Sequence, residues 1–325
     1  MLEQQRHIDL HLPKGWNQCT TDELEHIAAA IILCQQRVDR YHPFDWAQVK
    51  LMAVLSINDI KVISGPEYND LLFPDSLPSE DDNFTVRRHE DTEPWPITLG
   101  QLHALTEQLS WIDDEKADKT VFQFPYPEID VRCKKEEGRG ISHHPSSIIH
   151  LQGPPPLLDG YTWQEYRWLT DWMQEYMRCE NAKRDSTAAR NEFLAILFKP
   201  AGKPTGTVAA EHTSAISHLT SDIFEGFSPV RWQVILFWWS SLMAILARKF
   251  PKVFKQQPVG KGKRPQKRDT PWDFYNRVIA TIQKYVGGLS EQDVNTASYG
   301  TILQQLDMMA REAEEMERLN KKYKK

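Results

Sequence analysis

The chain is predicted to be mainly α: a multi-helix globular bundle with a loop-rich, proline-rich middle and a few short strands. Three observations carry this prediction. Apolar residues recur at three- and four-residue steps in segment after segment, the period of a helix with one buried face. Thr20-x-x-Glu23 and Thr162-x-x-Glu165 are capping boxes, in which hydroxyl and carboxylate satisfy the first free N–H groups of a helix. Between residues 64 and 96 prolines interrupt any long element, and the stretch 122–156 is irregular again.

Taken in order, His7 to Leu12 alternate polar and apolar, a short strand or extended arm ahead of Pro13. Thr20 then opens a helix running to about Val38, with Leu24, Ile27, Ala28, Ile31 and Ile32 on one face. His42-Pro43 ends that stretch, and a second helix covers 46–57 with Val49, Met52 and Ala53 at helical spacing. Residues 60–63 read as a strand. From 64 to 96 the chain is looser, with an acidic run at 79–83 and five prolines. Thr98–Trp111 is a helix with Leu99, Leu102, Leu105 and Leu109 on its apolar side. The stretch 122–156 is irregular again, with small strands expected at 121–124 and 147–151. Tyr161–Met177 is a helix along which Trp168, Trp172 and Tyr176 follow at i+4 steps. Residues 187–198 form another, stopped by Pro200, and a linker at 201–207 leads to a helix near 208–222.

Arg231–Phe250 is the most apolar stretch and carries three tryptophans. Its uncharged core, Val234–Ala247, is shorter than the roughly 20 residues a bilayer requires. Apolar residues lie all round it, with Trp232, Ile235, Trp239 and Leu246 on one side and Val234, Trp238 and Ile245 on the other. The pattern predicts a helix buried on both sides, and no membrane span. Beyond Phe250 comes a basic, proline-broken loop at 251–269. Pro271 then opens a helix with Phe274, Val278, Ile282 and Tyr285 on its apolar side, and Gly287-Gly288 ends it. The last helix is expected to begin at Ser290, with Asp293 completing its cap. This reading divides the chain into an N-terminal helical part (1–63), a loop-rich connector (64–156), a tryptophan-rich helical core (157–288) and a heptad-patterned C-terminal helix (289–325).

Composition narrows the function classes. Charged residues make up 26% and hydrophobic ones 40%, both near globular averages. The net charge of −6 argues against a dedicated nucleic-acid binder, whose domains are basic overall. Eleven tryptophans supply large apolar surfaces suited to cores and interfaces. Four widely spaced cysteines match neither a zinc site nor a disulfide framework. The first residues lack a signal peptide's apolar segment, so a reducing cytoplasm is the expected setting.

Candidate chemistry is sparse. His143, His144 and His150, with Cys133 nearby, are the one metal-like cluster, but they lack the paired spacing of a dependable site and read as solvated loop histidines. Asp113-Asp-Glu115 and Glu80-Asp-Asp82 lack the ligand spacing of a calcium loop. Gly138-Arg-Gly140 and Gly260-Lys-Gly262 fit no phosphate-binding fingerprint. No nucleophile is paired with a base at a recognisable spacing. The expectation is a protein that is not an enzyme and holds no cofactor or metal.

Two segments point to partners. Ile302, Leu306, Met309, Ala313 and Met316 step by 4, 3, 4 and 3, a two-heptad seam flanked by charges. It suits self-pairing or another chain, or else packing onto its own domain. Lys261, Lys263, Arg264, Lys267 and Arg268 could contact phosphates in a salt-dependent manner, which is the alternative, nucleic-acid-associated reading. A solvated loop explains the same composition.

Three stretches carry a resemblance. They are His11-Leu-Pro-Lys-Gly-Trp16 with Thr20-Thr-Asp-Glu-Leu24, then Gly153-Pro followed by Tyr161-Thr-Trp-Gln-Glu-Tyr166, then Asn191-Glu-Phe-Leu-Ala-Ile-Leu-Phe-Lys-Pro200. Together they resemble uncharacterised proteins from structural-gene modules of Bacteroidetes phages and prophages. The resemblance implies a part in tail or virion assembly through contacts with other phage structural proteins or with itself. It carries over no active site. The basic loop and the proline-rich middle have no counterpart in the pattern.

Overall fold

The computed structural model describes residues 10–38, 43–64, 83–88, 93–114, 120–121, 123–132, 148–200, 223–254 and 271–323. Among these the protein is mainly α, with nine helices and two three-stranded sheets. The chain divides into two compact units, Met1–Pro125 with Ser228–Ser241, and Tyr126–Phe227 with Leu242–Lys325.

The first unit contains α1 (Thr21–Gln36), α2 (Trp46–Ile57), β1 (Ile60–Ser64), β2 (Asn83–Arg88), β3 (Trp95–Thr98) and α3 (Leu99–Glu107). Thr20 caps α1 as expected: its hydroxyl accepts from the Glu23 N–H, and Glu23 reaches back to the Thr20 N–H. The three strands form an antiparallel sheet in the order β1-β2-β3. Phe84 and Val86 of β2 and Ile97 of β3 face a core shared with Leu51 and Leu55 of α2 and Leu102 of α3. Two of these strands lie in or at the end of the stretch read as loose. Pro96 is compatible with β3 because β3 is an edge strand, where a missing N–H leaves no central ladder bond broken. Thr98 and Gln101 form a further capping box at α3, which ends at Glu107, short of Trp111. A 3-10 turn, Ser110–Ile112, follows, and the Trp111 indole donates to the Pro13 carbonyl at 3.0 Å. Trp16 is buried edge-on between Trp111 and Phe237.

The second unit contains β4 (Glu128–Arg132), β5 (Ile148–Gln152), α4 (Trp163–Asn181), α5 (Thr187–Leu197) and β6 (Lys199–Pro200), with β5 central in an antiparallel sheet. The strand expected at 147–151 is β5. The described residues at 121 and 123–124 are not in a strand; β5 pairs instead with 128–132, where Ile129 and Val131 lie opposite Leu151 and Ile149.

The tryptophan helix is α6 (Pro229–Lys249), whose residues to Ser241 belong to the first unit and from Leu242 to the second. Trp232, Val234, Ile235, Trp238, Trp239, Leu242 and Leu246 are buried. Ser240 and Ala244, both small, are exposed. By length and composition it is the one described helix apolar enough to cross a membrane. In the first unit Trp238 meets Phe124 edge-on, and Ser241 accepts the Val121 N–H at 2.9 Å. In the second, the Tyr166 hydroxyl reaches the Met243 sulfur.

Helix α7 (Pro271–Val286) ends at Gly287 and Gly288, both at the positive φ that glycine adopts without a Cβ clash. Val278, Ile279 and Ile282 are buried, whereas Tyr285, expected on that apolar side, is exposed. The single helix expected from Ser290 is two: α8 (Glu291–Thr296), capped by Ser290 and Asp293, and α9 (Tyr299–Tyr323). Between them Ala297 is extended, its carbonyl accepts from the Trp163 N–H, and the Tyr299 N–H donates to the Tyr161 carbonyl. Backbone pairing with the start of α4 takes the groups that would have continued the helix. The helix expected near 208–222 and positions 255–269 of the basic loop lie outside the described residues.

Candidate interaction helix

Helix α9 begins inside the second unit. The Tyr299 ring stacks on Tyr166 with centroids 4.9 Å apart, and its hydroxyl donates to the Leu157 carbonyl. Leu157 and Leu158 both hold positive φ, a conformation that branched side chains resist, so this bond anchors a strained corner after the Gly153-Pro-Pro-Pro156 run. Burial pushes the Tyr299 phenol up to about 12, and the Asp159 charge adds to the effect. Ile302 and Leu303 are buried one turn later. Asp307 is buried as well. It accepts the Lys252 backbone N–H at 2.8 Å and the Arg311 guanidinium at 2.7 Å, so two donors compensate its charge. Lys252 also pairs through Nζ with Glu314.

Past Ala310 the environment changes within one turn. Arg311 to Arg318 are exposed at every position. Met316 is 60% exposed and Tyr323 is 87% exposed. After Arg311, which pairs back to Asp307, the charges fall in two blocks: Glu312, Glu314, Glu315 and Glu317, then Arg318, Lys321 and Lys322. Within the helix Glu317 and Lys321 pair at 2.6 Å, and that hydrogen bond holds the Glu317 carboxyl below its usual range.

The structure therefore splits the predicted seam. Ile302 and Met309 are buried in their own unit and Leu306 is half-buried, while Ala313 and Met316 are exposed. Lys261, Lys263, Arg264, Lys267 and Arg268 lie outside the described residues, as do His143, His144, Cys133, Glu80–Asp82 and both glycine-flanked motifs. His150 stands exposed on β5 and pairs with Asp130 of β4 at 2.6 Å. Asp113 pairs with Lys50 at 2.6 Å, beside a 660 Å³ cavity that Phe44, Trp46 and Thr106 help to line. A second cavity, of 540 Å³, lies along Met173, Met177 and Asn181 near the end of α4. Among the described residues no three His, Cys, Asp or Glu side chains are grouped to hold a metal ion.

One constellation escaped sequence reasoning. Glu165, the capping glutamate of α4, accepts Lys199 Nζ at 2.7 Å in the buried core, and the same ammonium lies 3.9 Å from the Tyr161 ring centroid. The Tyr161 hydroxyl donates to the Leu197 carbonyl at 2.6 Å, and burial holds that phenol far above its ordinary range. The pair ties the start of α4 to β6. A lysine inside the apolar run Phe193–Pro200 was its only sequence signal. Comparison with protein-family models, with curated proteins and with solved structures finds no match to this chain.

Proposed function

We propose that this chain is a non-enzymatic structural or assembly protein of the phage tail or virion type, acting through protein–protein contacts in the bacterial cytoplasm or on the particle. The carrying observation is α9: one helix whose first half is bound into its unit by Tyr299, Ile302, Leu303 and Asp307 and whose second half is exposed at every position from Arg311 to Arg318. A rigidly rooted helix with an exposed, charge-flanked apolar seam is a docking element that loses little freedom when a partner covers it. The resemblance of the Leu12-Pro-x-x-Trp16, Tyr161–Tyr166 and Asn191–Pro200 stretches to phage structural-module proteins supports the setting.

The test is co-expression with the products of the neighbouring genes, using the full chain and a chain ending at Ala310. A stable complex that the shortened chain fails to form is the expected result. No complex, or one indifferent to the truncation, overturns the reading. Retention of nucleic acid by the shortened chain, lost with salt and on neutralising Lys261, Lys263, Arg264, Lys267 and Arg268, would favour the basic loop instead.

A further inference from the structure

We infer that the exposed half of α9 pairs antiparallel with the same segment of a second copy of this chain. This rests on the docking role proposed above and names its partner. The argument is charge order. Within the exposed half the acidic block, 312–317, precedes the basic block, 318–322. Parallel pairing sets acid against acid and base against base; antiparallel pairing about the boundary sets each acidic block against the basic block of the other copy.

The seam agrees with that direction. Counting heptads from Leu306, Ala313 and Asn320 take one core position and Met316 and Tyr323 the other. In an antiparallel pair unlike core positions face each other, so Ala313 lies opposite Tyr323 of the second copy, and Met316 opposite Asn320. The small Ala313 leaves room for the tyrosine ring. Two heptads bury little area, so the association is expected to be weak, concentration-dependent and weakened by salt.

Purified full chain, light scattering across a concentration series, and disulfide trapping test this together. The expected mass rises from 37.8 kDa towards twice that value with concentration. It falls back at high salt and stays monomeric for the chain ending at Ala310 and for Met316→Glu. The point substitution keeps the test independent of any fault in the shortened chain, and its unchanged melting temperature certifies the fold. A mixture of Ala313→Cys and Tyr323→Cys chains should give a disulfide between positions 313 and 323, identified by peptide mass, while Ala313→Cys alone gives none between copies.

A 313–313 disulfide from Ala313→Cys alone means parallel pairing and overturns the inference. So does a full chain that is monomeric at every concentration, or a dimer that Met316→Glu leaves intact. Failure here is separable from failure of the proposed function. A monomer that still binds a neighbouring gene product through residues 311–323 removes the second copy and keeps docking. A dimer that binds no neighbour does the reverse.

Discussion

Glu23 and Glu165 occupy the same place in the same local motif, one in each unit, and they end in different electrostatic settings. Both are buried, at 6% and 1% exposure. Both use Oε2 to close a capping box, on the N–H and hydroxyl of Thr20 and of Thr162. Both turn Oε1 towards a side-chain nitrogen outside the motif. For Glu165 that nitrogen is Nζ of Lys199, itself 9% exposed, hydrogen-bonded at 2.7 Å and seated over the Tyr161 ring. For Glu23 it is Nε2 of His11, 83% exposed, at 3.2 Å and without hydrogen-bond geometry. A local motif thus places a carboxylate, but the solvent around the counter-charge decides how much stability depends on it.

The sharpest way to break the comparison is Lys199→Met. It leaves a buried carboxylate uncompensated and should cost about 3–5 kcal/mol in urea unfolding. Adding Glu165→Gln should recover part of that loss; if the double variant is as unstable as the single, the pair is not the source. A smaller effect comes with alkali. The Tyr161 phenol is raised by burial and then by the Glu165 charge, from an ordinary 10.0. A group whose folded pKa is raised contributes fully below its unfolded value and loses that contribution as pH rises above it. Stability should hold up to pH 10.0 and fall beyond it by about 1.4 kcal/mol per pH unit for this group. Melting curves of wild type and Tyr161→Phe between pH 8 and 11 would read it, with a shallower alkaline slope in the variant.

Next comes Thr98→Ala, which removes the capping hydroxyl of the box that closes on neutral Gln101, a box without a charge. The expected loss is about 1 kcal/mol, the worth of an ordinary cap. His11→Ala should cost least, below about 1 kcal/mol, because its ring is solvated. A loss from His11→Ala equal to that from Lys199→Met would erase the contrast between the units.

Periodicity and capping made most of the helices legible. The boxes at Thr20, Thr162 and Ser290 stand where residue types alone place them, because a cap needs only neighbours within one turn. Strand β2 was harder to see, since six residues, Asn83–Arg88, offer only two inward apolar side chains, Phe84 and Val86. The break between α8 and α9 had no local cause: Ala297 and Ser298 are compatible with a helix until the backbone of 161–163 pairs with them. For the candidate site, the seam from Ile302 to Met316 was visible as a pattern. Which part of it a partner can reach was not, because period describes a face and not what covers it.

By itself, the sequence determined the mainly helical class, the positions of the caps at Thr20, Thr162 and Ser290, and the two charge blocks of the C-terminal helix. These depend on interactions within a few residues or on composition along one face. Tertiary structure decided which capping glutamate meets a buried lysine, where the last helix breaks, and that the heptad seam is core up to Met309 and surface from Ala313. Each of those outcomes depends on the burial of one group by others far along the chain, and burial is a property of the packed fold that no local pattern carries.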